Sequence, residues 1–226
     1  MIIDAIQEES LQISKNRTAV KRKGKWGMID FHLNVYAPFE YDGIYRMTDG
    51  LASARKGDKW GFLDASGKEV IPFCYTEAMP FRDGIAIVAK DDKWGIIDIH
   101  GKEIWPFKYE YISFFKNSRL MVMQSNHYGL FTIQGEEIIP CTYHLIYDLI
   151  EDRYLVEIDH KHGFIDPSGN VVVPIVYDEV FDFSNGKAYV SQQGKWGLID
   201  LYGKELIPCK YESFYEIREA ANKLEL

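Results

Sequence analysis

The amino-acid sequence predicts an all-β protein built from six tandem 34-residue repeats, each an antiparallel meander of three or four short strands. The first observation is a ring-bearing residue followed by glycine that returns every 34 positions. The second is that no segment of about ten residues inside a repeat shows a helical period. The third is that aromatic residues make up 15% of the chain, a proportion that favours strands.

Three columns of residues, each repeated at a spacing of 34, define the repeat. The first column holds Trp26, Trp60, Trp94, Tyr128, His162 and Trp196. The second lies twelve residues later and holds Pro38, Pro72, Pro106, Pro140, Pro174 and Pro208. The third lies three residues further on and holds Tyr41, Tyr75, Tyr109, Tyr143, Tyr177 and Tyr211. Copies that keep one phase without insertion or deletion establish an internal repeat.

Two more columns predict a tight turn inside each repeat. Four residues after the ring-bearing residue stand Asp30, Asp64, Asp98, Asp166 and Asp200, with Thr132 as the exception. Seven residues after it stand Gly67, Gly101, Gly135, Gly169 and Gly203, with Leu33 as the exception. Because an aspartate can accept hydrogen bonds from the backbone of a following turn, we interpret the acidic column as turn capping rather than catalysis.

The third copy shows the order of the predicted elements. Residues 84–90 form a strand of short apolar residues that ends at the polar turn 91–93. Residues 94–99 form the second strand and residues 102–107 the third, with Pro106 either ending that strand or placing it at a sheet edge. Residues 109–115 supply a short fourth strand. The unit is therefore an antiparallel meander.

Two architectures accept six such meanders, and a closed six-bladed, propeller-like ring is favoured over an open β-solenoid. Residues 11–14 and 214–217 fall at the same repeat phase, so one end could also complete the sheet of the other. We predict an N-terminal cap at 1–10, one repeat domain at 11–217 and a C-terminal tail at 218–226.

Bulk composition narrows the function classes. A net charge of −8 argues against nucleic-acid binding, and no apolar run approaches the length of a membrane span. The first residues are acidic and lack the features of a secretory signal peptide. Three cysteines are too few for a disulfide framework, so a reducing, cytoplasmic setting is expected.

The repeat motif resembles that of a known family. Residues 59–72 (KWGFLDASGKEVIP), 93–106 (KWGIIDIHGKEIWP) and 195–208 (KWGLIDLYGKELIP) are similar to the WG repeats of bacterial proteins. The resemblance implies a bacterial origin, a β-rich repeat fold and an interaction module without a common catalytic motif. The fourth and fifth copies depart from the pattern at the tryptophan, and the fourth also at the aspartate.

The tryptophan column has two possible roles. Packing within or between repeats is the favoured role, because a large aromatic side chain buries about 150–250 Å². The adjacent glycine would then permit the close approach of a neighbouring strand. A repeated ligand platform is the alternative.

Candidate contact residues are sought where the repeat is broken. The fourth and fifth copies carry His127, Tyr128, His144, His160 and His162, which could form a site for a ligand or partner; drift of a redundant repeat explains the same residues. No His-Glu-x-x-His or Cys-x-x-Cys motif is present, so no metal, cofactor or catalytic residue is predicted. Trp105, in a column otherwise of Ala, Ile and Val, could contribute to an exposed apolar contact patch.

The expected function is a non-enzymatic scaffold whose repeat surface binds a protein or peptide partner. The alternative is a module that binds a small ligand or glycan through aromatic faces. A third and weaker hypothesis places an enzymatic or metal site at the histidine-bearing copies.

Overall fold

A computed structural model describes residues 9–116 and 118–224, with the side chains of residues 148 and 149 left out. The described residues form 24 strands and one helix, arranged as six four-stranded antiparallel sheets. The predictions of an all-β fold and of six repeats are confirmed. The chain divides into two compact units, Met1–Ile112 and Ser113–Leu226. Most of the predicted cap at 1–10 lies outside the described residues.

The first unit contains three sheets, each made of strands that are consecutive in the chain. The first sheet consists of β1 (Ser10–Ser14), β2 (Arg17–Arg22), β3 (Lys25–Ile29) and β4 (Val35–Tyr41). The second consists of β5 (Gly43–Thr48), β6 (Leu51–Lys56), β7 (Lys59–Asp64) and β8 (Glu69–Tyr75). The third consists of β9 (Glu77–Ala78), β10 (Ile85–Lys90), β11 (Lys93–Asp98) and β12 (Glu103–Tyr109).

The other three sheets follow the same order, and the first strand of the fourth sheet begins at the last two residues of the first unit. The fourth sheet consists of β13 (Tyr111–Phe115), β14 (Arg119–Gln124), β15 (His127–Thr132) and β16 (Glu137–Tyr143). The fifth consists of β17 (Leu145–Ile150), β18 (Arg153–Ile158), β19 (Lys161–Ile165) and β20 (Val171–Tyr177). The sixth consists of β21 (Glu179–Val180), β22 (Lys187–Gln192), β23 (Lys195–Asp200) and β24 (Glu205–Tyr211). Each sheet is complete in itself, so residues 11–14 do not extend another sheet among these six.

Tight turns with left-handed backbone join the two central strands of each sheet. In the third sheet Asp91 and Asp92 have φ angles of 51° and 60°, and β10 pairs with β11 in unbroken register. Two successive residues with positive φ are typical of a type I′ hairpin turn, whose twist matches that of the flanking strands. The polar turn predicted at 91–93 is therefore present.

The fourth strand of each sheet lies at the sheet edge and carries a bulge. This bulge explains the proline column and the glycine column of the repeat. In the third sheet Trp94 pairs with Tyr109 and Ile96 pairs with Trp105, so β12 has two extra residues between the paired positions. Pro106 lies within this bulge, where the ladder hydrogen bond that proline cannot make is not needed. The strand continues to Tyr109, which selects the sheet-edge alternative over a strand that ends at the proline.

The glycine after each tryptophan lies where β11 approaches the bulge. A Cβ atom built on Gly95 would lie 2.9 Å from the Trp105 carbonyl oxygen and 3.0 Å from the Phe107 ring. The other five glycines of this column also meet backbone atoms of the edge strand within 3.0 Å. The column is thus occupied by glycine because a side chain would collide with the neighbouring strand.

Apolar side chains between successive sheets form the core of each unit. Between the second and third sheets, Phe62 and Phe81 are almost wholly buried, with ring centroids 4.8 Å apart. Between the fourth and fifth sheets, Leu130 and Ile139 pack in one cluster with Tyr154. The guanidinium of Arg119 donates to the Tyr154 hydroxyl at 2.8 Å, so this buried phenol is also hydrogen-bonded.

A single helix, α1 (Phe214–Lys223), follows the last sheet. Ser213 caps its N-terminus by accepting from the Glu216 N–H, and the Glu216 carboxylate accepts from the Glu212 N–H. Ile217 and Ala221 are buried against Leu198 and Ile207 of the sixth sheet. The predicted tail at 218–226 therefore begins inside a helix that packs on the last repeat. Within the described part of the chain, no helix has the length and apolar character needed to cross a bilayer.

Candidate functional site

The acidic column lies in the turn between the third and fourth strands of each sheet. The Asp98 carboxylate accepts hydrogen bonds from the N–H groups of His100 and Lys102, each at 2.9 Å. The same two contacts, to the second and fourth residues ahead, are made by Asp30, Asp64, Asp166 and Asp200. In the fourth copy Thr132 stands in place of the aspartate, and its hydroxyl accepts one hydrogen bond, from the Glu136 N–H at 3.1 Å. These oxygens are engaged in turn capping.

The same contacts change the acidity of these groups. The Lys102 N–H, and after it the His100 N–H, hold the pKa of the Asp98 carboxyl below its ordinary value. Hydrogen bonds from the Asn170 side chain and N–H lower the pKa of Asp166 in the same way. A carboxylate with a lowered pKa in the folded protein stabilises the fold above its ordinary pKa, and this contribution is lost as the pH falls.

An Asp98→Asn/Asp166→Asn variant should therefore melt a few degrees below the wild type at pH 7, because two ionised turn caps are lost. The difference should be smaller at pH 3, where the wild-type carboxyls have begun to take up protons. Thermal unfolding followed by circular dichroism at both pH values checks this expectation. A melting difference that is the same at pH 3 and pH 7 would show that ionisation of these caps does not contribute.

The four tryptophans of the repeat are half-buried, and Trp60, Trp94 and Trp196 contact other aromatic rings. Trp60 lies 5.2 Å from the Tyr45 ring, and Trp196 is stacked on Phe181 at 5.5 Å. Such offset or tilted pairs add about 0.5–1.5 kcal/mol to the effect of area burial. The column thus packs against rings of its own sheet or of the next element along the chain, while one part of each tryptophan stays accessible to solvent.

Four exposed rings share one repeat position, which lies in or directly after the first strand of a sheet and, in the last copy, in α1. Tyr45 is 43% exposed in the first unit, while Tyr147 is 43%, Phe181 45% and Tyr215 71% exposed in the second. Tyr215 lies in α1, in the place that a further first strand would occupy. We call Tyr147, Phe181 and Tyr215 the aromatic row. The row was not predicted from the sequence. Its signal there is the column at 45, 79, 113, 147, 181 and 215, which holds rings in four copies and Met79 and Ser113 in the other two.

Trp105 corrects one expectation of the sequence analysis. It is only 5% exposed and lies 5.6 Å from the Tyr109 ring, so it does not belong to an exposed contact patch. Its column faces the core, because Ala37, Ile71 and Ile139 at the same position are fully buried. The larger residue fills space inside the protein.

The four candidate histidines form two separate groups in the second unit. The rings of His127 and His144 lie 4.7 Å apart. His160 and His162 instead share Glu157, at 3.5 and 3.6 Å from its two carboxylate oxygens. Among the described residues, no set of three or more His, Cys, Asp or Glu side chains is placed to hold a metal ion.

Tyr128, the remaining candidate, is half-buried. It pairs with Tyr143 across the sheet and packs against the core cluster of Leu130 and Ile139. Its position is that of the tryptophans in other copies, and it has the same packing role.

Comparison with known proteins gives one clear match. A family model for a WG containing repeat matches residues 26–60, 60–94, 94–126, 128–161, 163–196 and 196–220. No curated protein matches the chain. Among solved structures, a crystal structure of Hsv2 from a Kluyveromyces yeast has a TM-score of 0.44 at 8% identity, covering 84% of this chain and 70% of Hsv2. The AfRom2 CNH domain has a TM-score of 0.40 at 7% identity, covering 87% and 82%.

Proposed function

Because the chain belongs to the WG-repeat family, we propose that it is a non-enzymatic bacterial scaffold that binds a protein or peptide partner through its repeat surface. The observation that carries the proposal is the aromatic row of the second unit. Three partly exposed rings at one repeat position present apolar area that the fold itself leaves open to solvent. Tyrosine and phenylalanine side chains of this kind are enriched at protein interfaces.

The geometry of the aromatic row favours an extended polypeptide. Its members come from the fifth sheet, the sixth sheet and α1, so they are distributed along successive elements rather than gathered in one cavity. Phe181 and Phe214 are in contact, with ring centroids 4.8 Å apart, which continues the apolar surface from the last sheet onto the helix. Repeat proteins commonly use such extended surfaces to bind other chains.

A groove beside α1 continues from the last member of the row. It has a volume of about 580 Å³ and is lined by Tyr211, Tyr215, Glu216, Glu219, Ala220 and Lys223. Its walls combine two tyrosine rings with charged groups of both signs. An apolar side chain of a bound peptide could be accommodated between the rings while its backbone meets the polar rim.

Glycan binding is the second candidate, and the ring faces of the sixth sheet favour it. Phe181 is stacked on Trp196 and leaves almost half of its surface exposed. Aromatic faces of this kind can stack on the apolar side of a sugar ring. The two candidates differ in what must bind: a chain that spans the aromatic row, or a compact ligand at a single pair.

The proposal includes a cytoplasmic location and no catalytic activity. Support for a reducing compartment comes from Cys74, Cys141 and Cys209, which are all free thiols. Support for a non-catalytic role comes from the aspartate column, whose oxygens cap turns in every copy that carries them.

Selection of a phage-displayed 12-residue peptide library on the immobilised chain tests the proposal. We expect enrichment of peptides with aromatic or aliphatic anchors. A Tyr147→Ser/Tyr215→Ser variant should bind the selected peptide at least about tenfold more weakly by fluorescence anisotropy, because truncating an interface anchor commonly costs more than about 1 kcal/mol. Tyr202→Ser is the matched control, since Tyr202 is 76% exposed and lies outside the row.

Equal affinity of the double variant and the wild type would refute the assignment of the row. A glycan panel titrated against the same proteins, with tryptophan fluorescence as the signal, separates the second candidate. Saturable glycan binding together with a failed peptide selection would replace the first candidate by the second.

A further inference from the structure

A recurring ion pair ties neighbouring sheets together in this fold. Between the first and second sheets, Lys25 donates to Asp42 at 2.6 Å, and Asp42 accepts from the Gly57 N–H at 2.7 Å. The carboxylate thus joins a lysine of one sheet to the central turn of the next. Between the fifth and sixth sheets, Lys161 and Asp178 hold the first two positions, and Asp178 accepts at 3.1 Å from the N–H of Gly194, which lies in the central turn one residue beyond the position of Gly57.

Histidines hold the corresponding positions between the fourth and fifth sheets. His127 stands at the lysine position and His144 at the aspartate position. The Asp159 N–H, at the position of Gly57, donates to His144 Nδ1 at 3.0 Å. His144 therefore replaces the carboxylate as the acceptor, and the rings of the two histidines, 4.7 Å apart, replace the ion pair.

The hydrogen bonds determine the protonation state that this arrangement requires. His144 Nδ1 accepts from a backbone N–H, so it carries no proton and the ring is neutral. His127 Nδ1 lies 2.7 Å from the Ser125 carbonyl oxygen, an acceptor, so this nitrogen carries the proton. Protonation of His144 at Nδ1 would place the new N–H hydrogen against the hydrogen of the Asp159 N–H.

We propose that His127 and His144 make the junction between the fourth and fifth sheets acid-sensitive, with the junction held at neutral pH and loosened when the imidazoles are protonated. Acid removes the hydrogen bond to the Asp159 N–H and places two positive rings in contact. The Lys–Asp junctions keep opposite charges over the same pH range. This inference does not depend on the proposed function.

The charged groups around the pair only partly offset this effect. The Asp159 carboxylate lies 4.0 Å from His144 Nδ1, but it is 87% exposed and thus strongly screened. Glu157 contacts His160 and His162, and Lys161 is paired with Asp178.

The junction borders a core that its loosening would expose. Leu130 and Ile139 of the fourth sheet pack against Tyr154, Val156 and Ile165 of the fifth. Separation of the two sheets would therefore bring apolar surface to solvent. Acidification would therefore cause a local structural change in the second unit.

A His127→Lys/His144→Asp variant tests the proposal because it rebuilds the Lys–Asp pair found between the first and second sheets and between the fifth and sixth sheets. Between pH 7.5 and 5.5, the melting temperature of the wild type should fall by about 2–4 °C more than that of the variant. His100→Gln, which removes an exposed histidine from the first unit, should keep the wild-type dependence. Equal pH dependence of the wild type and the double variant would overturn the proposal.

Hydrogen exchange on the wild type gives a second test that does not require a folded variant. The Asp159 and Gly194 amides both lie in the central turn of a sheet, but one donates to an imidazole and the other to a carboxylate. After correction for intrinsic rates, the protection of Asp159 relative to Gly194 should fall about tenfold from pH 7.5 to 5.5. A constant ratio would also overturn the proposal.

Discussion

Replacing Phe62 by alanine is expected to lower the free energy of unfolding by about 3–5 kcal/mol, the range for truncating a fully buried phenylalanine. Phe62 is inaccessible to solvent and packs against Phe81 at 4.8 Å, in a cluster with Ile71 and Val88. The cavity would lie between the second and third sheets, where both sheets contribute side chains. The loss should therefore appear as a lower midpoint of urea unfolding.

Phe31→Ala provides the matched control. Phe31 is 80% exposed, so its removal should change the stability by no more than about 0.5 kcal/mol. Tryptophan fluorescence and far-UV circular dichroism should be followed together, because a repeat protein can unfold in parts. If the two variants had equal midpoints, the assigned core between these sheets would be wrong.

Replacing Gly129 by alanine is expected to destabilise the protein by about 2 kcal/mol or more, because the new methyl group collides with backbone atoms. A Cβ at this position would lie 2.5 Å from the Ile139 carbonyl oxygen and 2.8 Å from the Cys141 nitrogen. Neither atom belongs to a flexible side chain, so β15 and the bulged edge strand β16 would have to separate. Thermal unfolding followed by circular dichroism measures the loss.

Gly50→Ala separates this collision from backbone strain. Gly50 has a φ of 83°, and a Cβ there would have no atom within 4 Å in the described part of the chain. Only the cost of left-handed backbone applies, roughly 1–2 kcal/mol. A larger loss in the Gly50 variant than in the Gly129 variant would show that close strand approach is not the reason for the glycine column.

Much of the fold could be predicted because each repeat column shows which residue types occupy one structural position in six copies of the same unit. The alternation of turns and short apolar runs determined the strands, and the aspartates indicated the turn that they cap. The C-terminal end was harder, since Ile217 holds the repeat phase of a buried first-strand residue. The chain forms α1 there because Ser213 and Glu216 cap a run of helix formers, while Ile217 still packs on the sixth sheet.

The candidate site was less predictable because exposure depends on position within a sheet more than on residue type. Trp105 was expected on the surface for its size, yet its column faces the core. Conversely, Tyr147 is exposed in a first strand at the edge of its sheet, and Phe181 is exposed directly after such a strand. His144 contacts His127 of the preceding sheet, and His162 contacts Glu157 of its own, a division that depends on three-dimensional register.

Whether the chain closes into a ring or stays open remains a prediction from the sequence. The six sheets have the same strand order within each unit, and this order suits either arrangement. The aromatic row does not depend on the choice, because all of its members lie in the second unit.

The central claim, that the aromatic row is the binding surface, is tested most directly by mapping a selected peptide on the ¹⁵N-labelled protein by NMR. We expect the largest chemical-shift changes at the amides of Tyr147, Phe181 and Tyr215, and no change at the amide of Tyr202. Changes confined to the turn around Tyr202, or to the first unit, would contradict it.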